Sequence, residues 1–123
     1  MLGKINRLSK KKDFEEVFKG GKGFKGGFLI FKSLKNNLGG SRFGFVVSKK
    51  VSNKAVLRNK IKRRLRAAVL NIIDKKNGKP SYNSHFDLII IALPDIKKKD
   101  FAEIQDAITQ FFIKFKINVW FFS

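Results

Sequence analysis

Apolar residues recur along this chain with two different periods, and the changes of period divide it into elements. Phe14, Val17 and Phe18 stand at i, i+3 and i+4, on one face of a short helix over KKKDFEEVFK whose other faces carry Asp13, Glu15, Glu16 and Lys19. Ser9 is placed as its N-cap, and Gly20 and Gly21 end it. Residues 20–27, GGKGFKGG, are too rich in glycine for a helix and fit either a mobile connection or a short edge strand around Phe24. FLIFKSL (28–34) reads as a strand, NNLGGS as a turn, and RFGFVVSKKV (42–51) as a second strand in which Phe43, Phe45 and Val47 alternate with Arg42, Gly44 and Val46. Two neighbouring antiparallel strands are the economical pairing.

The period then changes to that of a long helix. Leu57, Ile61, Leu65, Ala68, Val69 and Ile72 recur three and four residues apart, which predicts a helix over 54–73 capped by Asn53. NGKPSYN (77–83) breaks it, and DLIIIAL (87–93) is apolar enough for a strand buried on both faces, ended by Pro94. Asp100 opens a last helix with an apolar stripe of Phe101, Ile104, Ile108, Phe111, Phe112 and Phe115; Lys114 and Lys116 sit near its negative end. The closing NVWFFS either covers the core or adds an edge strand, and no internal repeat is present.

Composition narrows the function. A chain of 123 residues, 43% hydrophobic with 14 Phe, has material for one core and reads as a single domain over 1–123, with the first six residues and 118–123 at its periphery. Against 28 Lys plus Arg stand 9 Asp plus Glu, a formal charge of +19, which calls for a polyanion in the working state. The absence of cysteine excludes disulfides, thiolate zinc sites and cysteine nucleophiles. MLGKINRLSKKKDF has no apolar core of a secretory signal, and no uncharged apolar run approaches the roughly 20 residues of a spanning helix. A cytoplasmic protein without membrane or DNA partners is the expectation.

No catalytic or metal site emerges. His85 is the only histidine, Ser48 has no base arranged beside it, and Asp13, Glu15 and Glu16 have lysines close by for surface pairing. GGKGFKGG lacks the strand, helix and Lys-Ser/Thr ending of a nucleotide loop.

The chemistry lies instead in NKAVLRNKIKRRLR (53–66). At about 100° per residue, Asn59, Lys60, Lys62, Arg63 and Arg66 take the arc opposite Leu57, Ile61 and Leu65, and Arg58 and Arg64 flank it. Lys49, Lys50 and Lys54 extend the patch from the preceding strand end. Six of the nine residues from Arg58 to Arg66 are Lys or Arg and none is acidic, so like charges repel at i, i+4 and the helix is weaker alone. A row of cations that lacks counter-charges within its own helix is suited to successive phosphates of a folded RNA.

Two segments carry a resemblance. VSKKVSNKAVLRNKIKRRLR (47–66) and RLSKKKDFEEVFKGG (7–21), with DLIIIAL in the place of a buried strand, resemble the protein subunit of bacterial ribonuclease P, over residues 5–112. The resemblance implies an α/β two-layer sandwich of order αβββαβα, like a ribosomal-protein domain, with a four-stranded sheet and a left-handed βαβ crossover. It implies an accessory subunit of an RNA-catalysed endonuclease, with ribonuclease P RNA and precursor tRNA as partners. Magnesium is then held mainly by the RNA, and the protein by itself binds no cofactor. It assigns RNA contact to Arg58, Asn59, Lys62, Arg63 and Arg66, and the 5′ leader to a cleft between the first helix and the sheet, mapped to Phe14, Phe18 and Phe31. Three departures stand out. Lys60 replaces the second Arg of an Arg-Asn-Arg motif and loses its planar fork. Leu93 follows Ala92 where an Arg is common, and VWFF replaces a lysine-rich tail. A structural ribosomal protein is the rival reading, sharing the charge and the absence of a protein active site. Anionic-membrane binding is a weaker one, since the apolar helix faces are needed for the core.

Overall fold

The computed structural model describes residues 7–36, 41–75 and 85–114. The chain start, the centre of NNLGGS, the NGKPSYN break and the NVWFFS tail with Phe115 and Lys116 lie outside the described residues. The elements are α1 (Lys11–Gly20), β1 (Lys22–Gly26), β2 (Leu29–Asn36), β3 (Arg42–Val46), α2 (Ala55–Lys75), β4 (His85–Ala92), a short 3-10 helix (Pro94–Lys98) and α3 (Phe101–Lys114). This is the αβββαβα order, and GGKGFKGG takes the edge-strand alternative. The tight β1–β2 turn uses Gly27 at φ 62°, a left-handed conformation that costs a residue with a side chain energy.

The strand order is β1-β2-β4-β3, with β1–β2 and β2–β4 antiparallel and β3–β4 parallel. The economical pairing of β2 with β3 is therefore wrong: β4 lies between them. Leu88, Ile89 and Ile90 are successive residues and all are fully buried, so β4 needs cover on both faces and a neighbour on both edges. Parallel neighbours need a long crossover, and α2 provides it between β3 and β4.

One sheet face carries the main core. Leu29, Phe31, Phe43, Leu88 and Ile90 pack there against Ile61, Leu65 and Val69 of α2 and against Ile104, Ile108, Phe111 and Phe112 of α3. Of the α2 and α3 stripes read from the sequence, Ile61, Leu65, Ala68, Val69, Ile72, Ile104, Ile108, Phe111 and Phe112 are buried, and Leu57 and Phe101 are half-buried at the margin of the core. On the other face α1 covers a smaller cluster, in which Leu8, Val17 and Ile89 are buried beside Phe14, Leu34, Val46 and Ile91.

Helix ends depart from the sequence reading in two places. Lys10, not Ser9, is the N-cap of α1, and it makes no side-chain capping bond. At α2 the Lys54 carbonyl accepts the first helical bond, from the Arg58 N–H at 3.1 Å, and Ser52 Oγ, not Asn53, accepts the Lys54 N–H at 3.1 Å. Asp100 does cap α3: its Oδ1 accepts the Glu103 N–H at 2.8 Å while Glu103 Oε1 accepts the Asp100 N–H at 3.1 Å, a reciprocal capping box.

Candidate nucleic-acid interface

Strand β3 stops at Val46, earlier than the alternation suggests, because Ser48 closes a turn. The Ser48 carbonyl accepts the Val51 N–H at 3.0 Å and Ser48 Oγ accepts the Lys50 N–H at 3.2 Å. Val47 and Val51 anchor the turn in the core, which leaves Lys49 and Lys50 exposed at its tip. Lys54 is exposed at the start of α2.

Along α2 the exposed positions among the described side chains are Ala55, Val56, Asn59, Lys60, Arg63, Ala67 and Asn71, with Lys62, Arg64 and Arg66 half-buried beside them. Arg63 stands near the middle of the outward arc, opposite the buried Ile61, Leu65, Ala68, Val69 and Ile72. Arg58 flanks the arc, as its position in the sequence implies. It is half-buried, and its Nη1 donates to the Ser52 carbonyl at 2.9 Å, tying the helix to the turn that carries the lysines. Among the described residues the salt bridges are Arg42–Asp13, Arg42–Asp87 and Lys99–Glu103, so none neutralises this row. Sequence reasoning missed Val56. It is 80% exposed, two turns before Arg63 on the same side of the helix, and it puts an apolar contact inside the basic surface.

The second feature lies on the opposite sheet face. Phe14 rests on β3 at Gly44, where an added Cβ would come within 2.6 Å of the ring, so glycine is what lets α1 approach the strand. Val17 is buried, while Phe18 is 42% exposed. Phe31 does not join them. It is buried on the α2/α3 face, stacked on Phe111 at 3.9 Å and 5°, because side chains alternate along β2 and Phe31 falls in the main-core set. Its neighbours Ile30 and Lys32 face the α1 side instead, paired with Lys25 and Gly23 of β1 and with Ile91 and Ile89 of β4. Ile30, Lys32 and Ile91 are half-buried and Lys25 is exposed. On this side of the sheet, then, α1 brings Phe14 and the exposed Phe18, and the strand surface carries Ile30 and Ile91 with Lys32 and Lys25.

A polar network joins α1 to the sheet. Arg42 Nε and Nη2 donate to Asp87 Oδ1 and Oδ2 at 2.8 and 2.6 Å, Arg42 Nη1 donates to Asp13 Oδ2 at 3.1 Å, and Asn36 Nδ2 donates to Asp87 Oδ1 at 2.7 Å. The Asp87 hydrogen bonds foremost, then the charges of Asp87 and Asp13, hold the Arg42 guanidinium protonated above its ordinary value, with burial opposing. Asp87 is the buried charged residue of the sheet.

Known proteins share this chain's sequence pattern and its fold. The family model described as Ribonuclease P matches residues 2–116. The chain belongs to the ribonuclease P protein family. The ribonuclease P protein component of Syntrophomonas wolfei is 39% identical over 105 residues, 85% of this chain and 82% of that protein. That of Alkaliphilus metalliredigens is 34% identical over 112 residues, 91% of this chain and 95% of that one. Among solved structures, a Staphylococcus aureus RNase P protein superposes with a TM-score of 0.71 at 28% identity, covering 85% of this chain and 90% of its own. The Thermotoga maritima RNase P protein gives 0.68 at 28% identity, over 85% and 93%. As a ribonuclease P protein component the chain is a subunit of the endonuclease that processes tRNA 5′ ends, with ribonuclease P RNA as its partner, and a structural ribosomal role is not favoured. No helix among the described residues is long and apolar enough to cross a membrane.

Proposed function

We propose that the α2 row and its turn bind the catalytic RNA, and that the α1 cleft receives the 5′ leader of precursor tRNA. The row comprises Lys49, Lys50, Lys54, Asn59, Lys60, Lys62, Arg63, Arg64 and Arg66, with Arg58 as anchor of the turn. The observation that carries this reading is a set of cations facing outward from a helix whose other side is core, and met by none of the salt bridges among the described residues. Phosphates supply the counter-charge and release condensed ions as they bind. In the cleft, Phe14 and Phe18 offer ring faces to unpaired bases while Lys25 and Lys32 meet the leader backbone. Phe31 supports this floor from beneath.

The protein supplies no catalytic group in this scheme. Its work is to lower phosphate repulsion so that RNA and substrate approach at physiological magnesium. The magnesium belongs to the RNA: the two carboxylates that join α1 to the sheet, Asp13 and Asp87, are both engaged by Arg42, a poor ligand set for a cation. The working compartment is the cytoplasm, where precursor tRNA is made. Reconstitution tests the proposal: bacterial ribonuclease P RNA, precursor tRNA and this protein are mixed at low magnesium. Cleavage at the leader junction should rise with protein, and no stimulation would refute the role.

A further inference from the structure

We propose that Arg42 is a positioning residue: by joining Asp13 of α1 to Asp87 of the sheet, it sets the height and tilt of the Phe14–Phe18 wall over the cleft floor. This rests on the leader reading above and adds the device that shapes the site.

The apolar hold on α1 is narrow. Val17 is the one buried residue of that helix, and hydrophobic contact is non-directional, so this cluster alone does not fix the angle at which α1 crosses the sheet. Directional contacts come from β3. Arg42 and Gly44, two apart on one face of the strand, engage the consecutive residues Asp13 and Phe14: Arg42 through a charge-assisted hydrogen bond of 3.1 Å, and Gly44 by close approach of the ring. Arg42 is itself immobilised, since its other edge makes a two-bond fork on the buried Asp87. Nη1 is thereby aimed at Asp13, and Phe18 follows one turn later on the same helix. Because its guanidinium is committed to two carboxylates, Arg42 acts on RNA through α1 and not by touching phosphate.

The test uses the reconstituted holoenzyme. Affinity is measured for precursor tRNA and for the same tRNA without its leader, and the ratio of the two reports leader recognition. Asp13→Asn keeps the Arg42–Asp87 fork but turns the charge-assisted bond to Arg42 into a neutral one of roughly half the strength, and should lower that ratio about threefold to tenfold, with leaderless tRNA and catalytic-RNA affinity unchanged. Asp13→Glu, which keeps the carboxylate, should recover most of it. Arg42→Lys has no planar fork to span both acids, so it should fail as Asp13→Asn does and carries the test should that variant lose its fold. Equal losses for both tRNAs, or a ratio untouched by Asp13→Asn and Arg42→Lys, would overturn the positioning role alone. A wild-type protein with no preference for the leader would overturn the leader reading, and this inference with it.

Discussion

Replacing Lys62 and Arg63 together by alanine should move RNA affinity and protein stability in opposite directions. Lys62 stands four residues from both Arg58 and Arg66, and Arg63 three from both Lys60 and Arg66, so the double variant removes four like-charge pairs within α2. At about 0.2–0.5 kcal/mol each at low salt, less when screened, the free protein should gain on the order of 1 kcal/mol. Every phosphate that the variant no longer neutralises should flatten the slope of log affinity against log salt by roughly 0.7–0.9, hence by about 1.5 for the pair. Over a fourfold rise in salt that slope change amounts to about a tenfold shift in relative affinity, with the variant's deficit largest at low salt. Binding of ribonuclease P RNA across a monovalent-salt series at fixed magnesium gives the slope, and urea denaturation of the free protein at low salt gives the stability. An unchanged slope would place these side chains away from phosphate. A loss of stability would show that they hold α2 through interactions of their own.

Two further substitutions probe the cleft. Phe18→Ala should cost precursor binding about 1–3 kcal/mol while leaderless tRNA binds as before, because the ring is part-exposed and available for stacking; the paired affinities check this. Gly44→Ala should destabilise the protein by about 1–3 kcal/mol, since a Cβ 2.6 Å from the Phe14 ring forces α1 away from β3; a urea midpoint equal to wild type would mean the ring does not sit there.

Some of this is legible in the sequence for a clear physical reason. A helix repeats every 3.6 residues, so the spacing of Leu57, Ile61, Leu65 and Ile72 fixes both the existence of α2 and which side faces the core. The cationic row then has to point outward. The stripe on α3 and its Asp100–Glu103 cap are equally local. Val56 carries the same angular signal two turns before Arg63 and is easily passed over, because an isolated exposed valine has no charge to draw notice.

What needs the tertiary structure are relations between distant residues. Alternation along β2 says that Ile30 and Phe31 point to opposite faces, but not which face α1 will cover, and so the cleft role expected of Phe31 puts it on the wrong one. The insertion of β4 between β2 and β3 depends on pairing across the whole α2 crossover, which no local period encodes. Arg42 meets partners 29 and 45 residues away, and in one dimension it is simply another cation before a phenylalanine. Periodicity fixes the faces of each element because both arise from the same short-range backbone geometry. The assembly of those faces into a cleft is set by long-range packing and ion pairing, and these become visible only when the chain is folded.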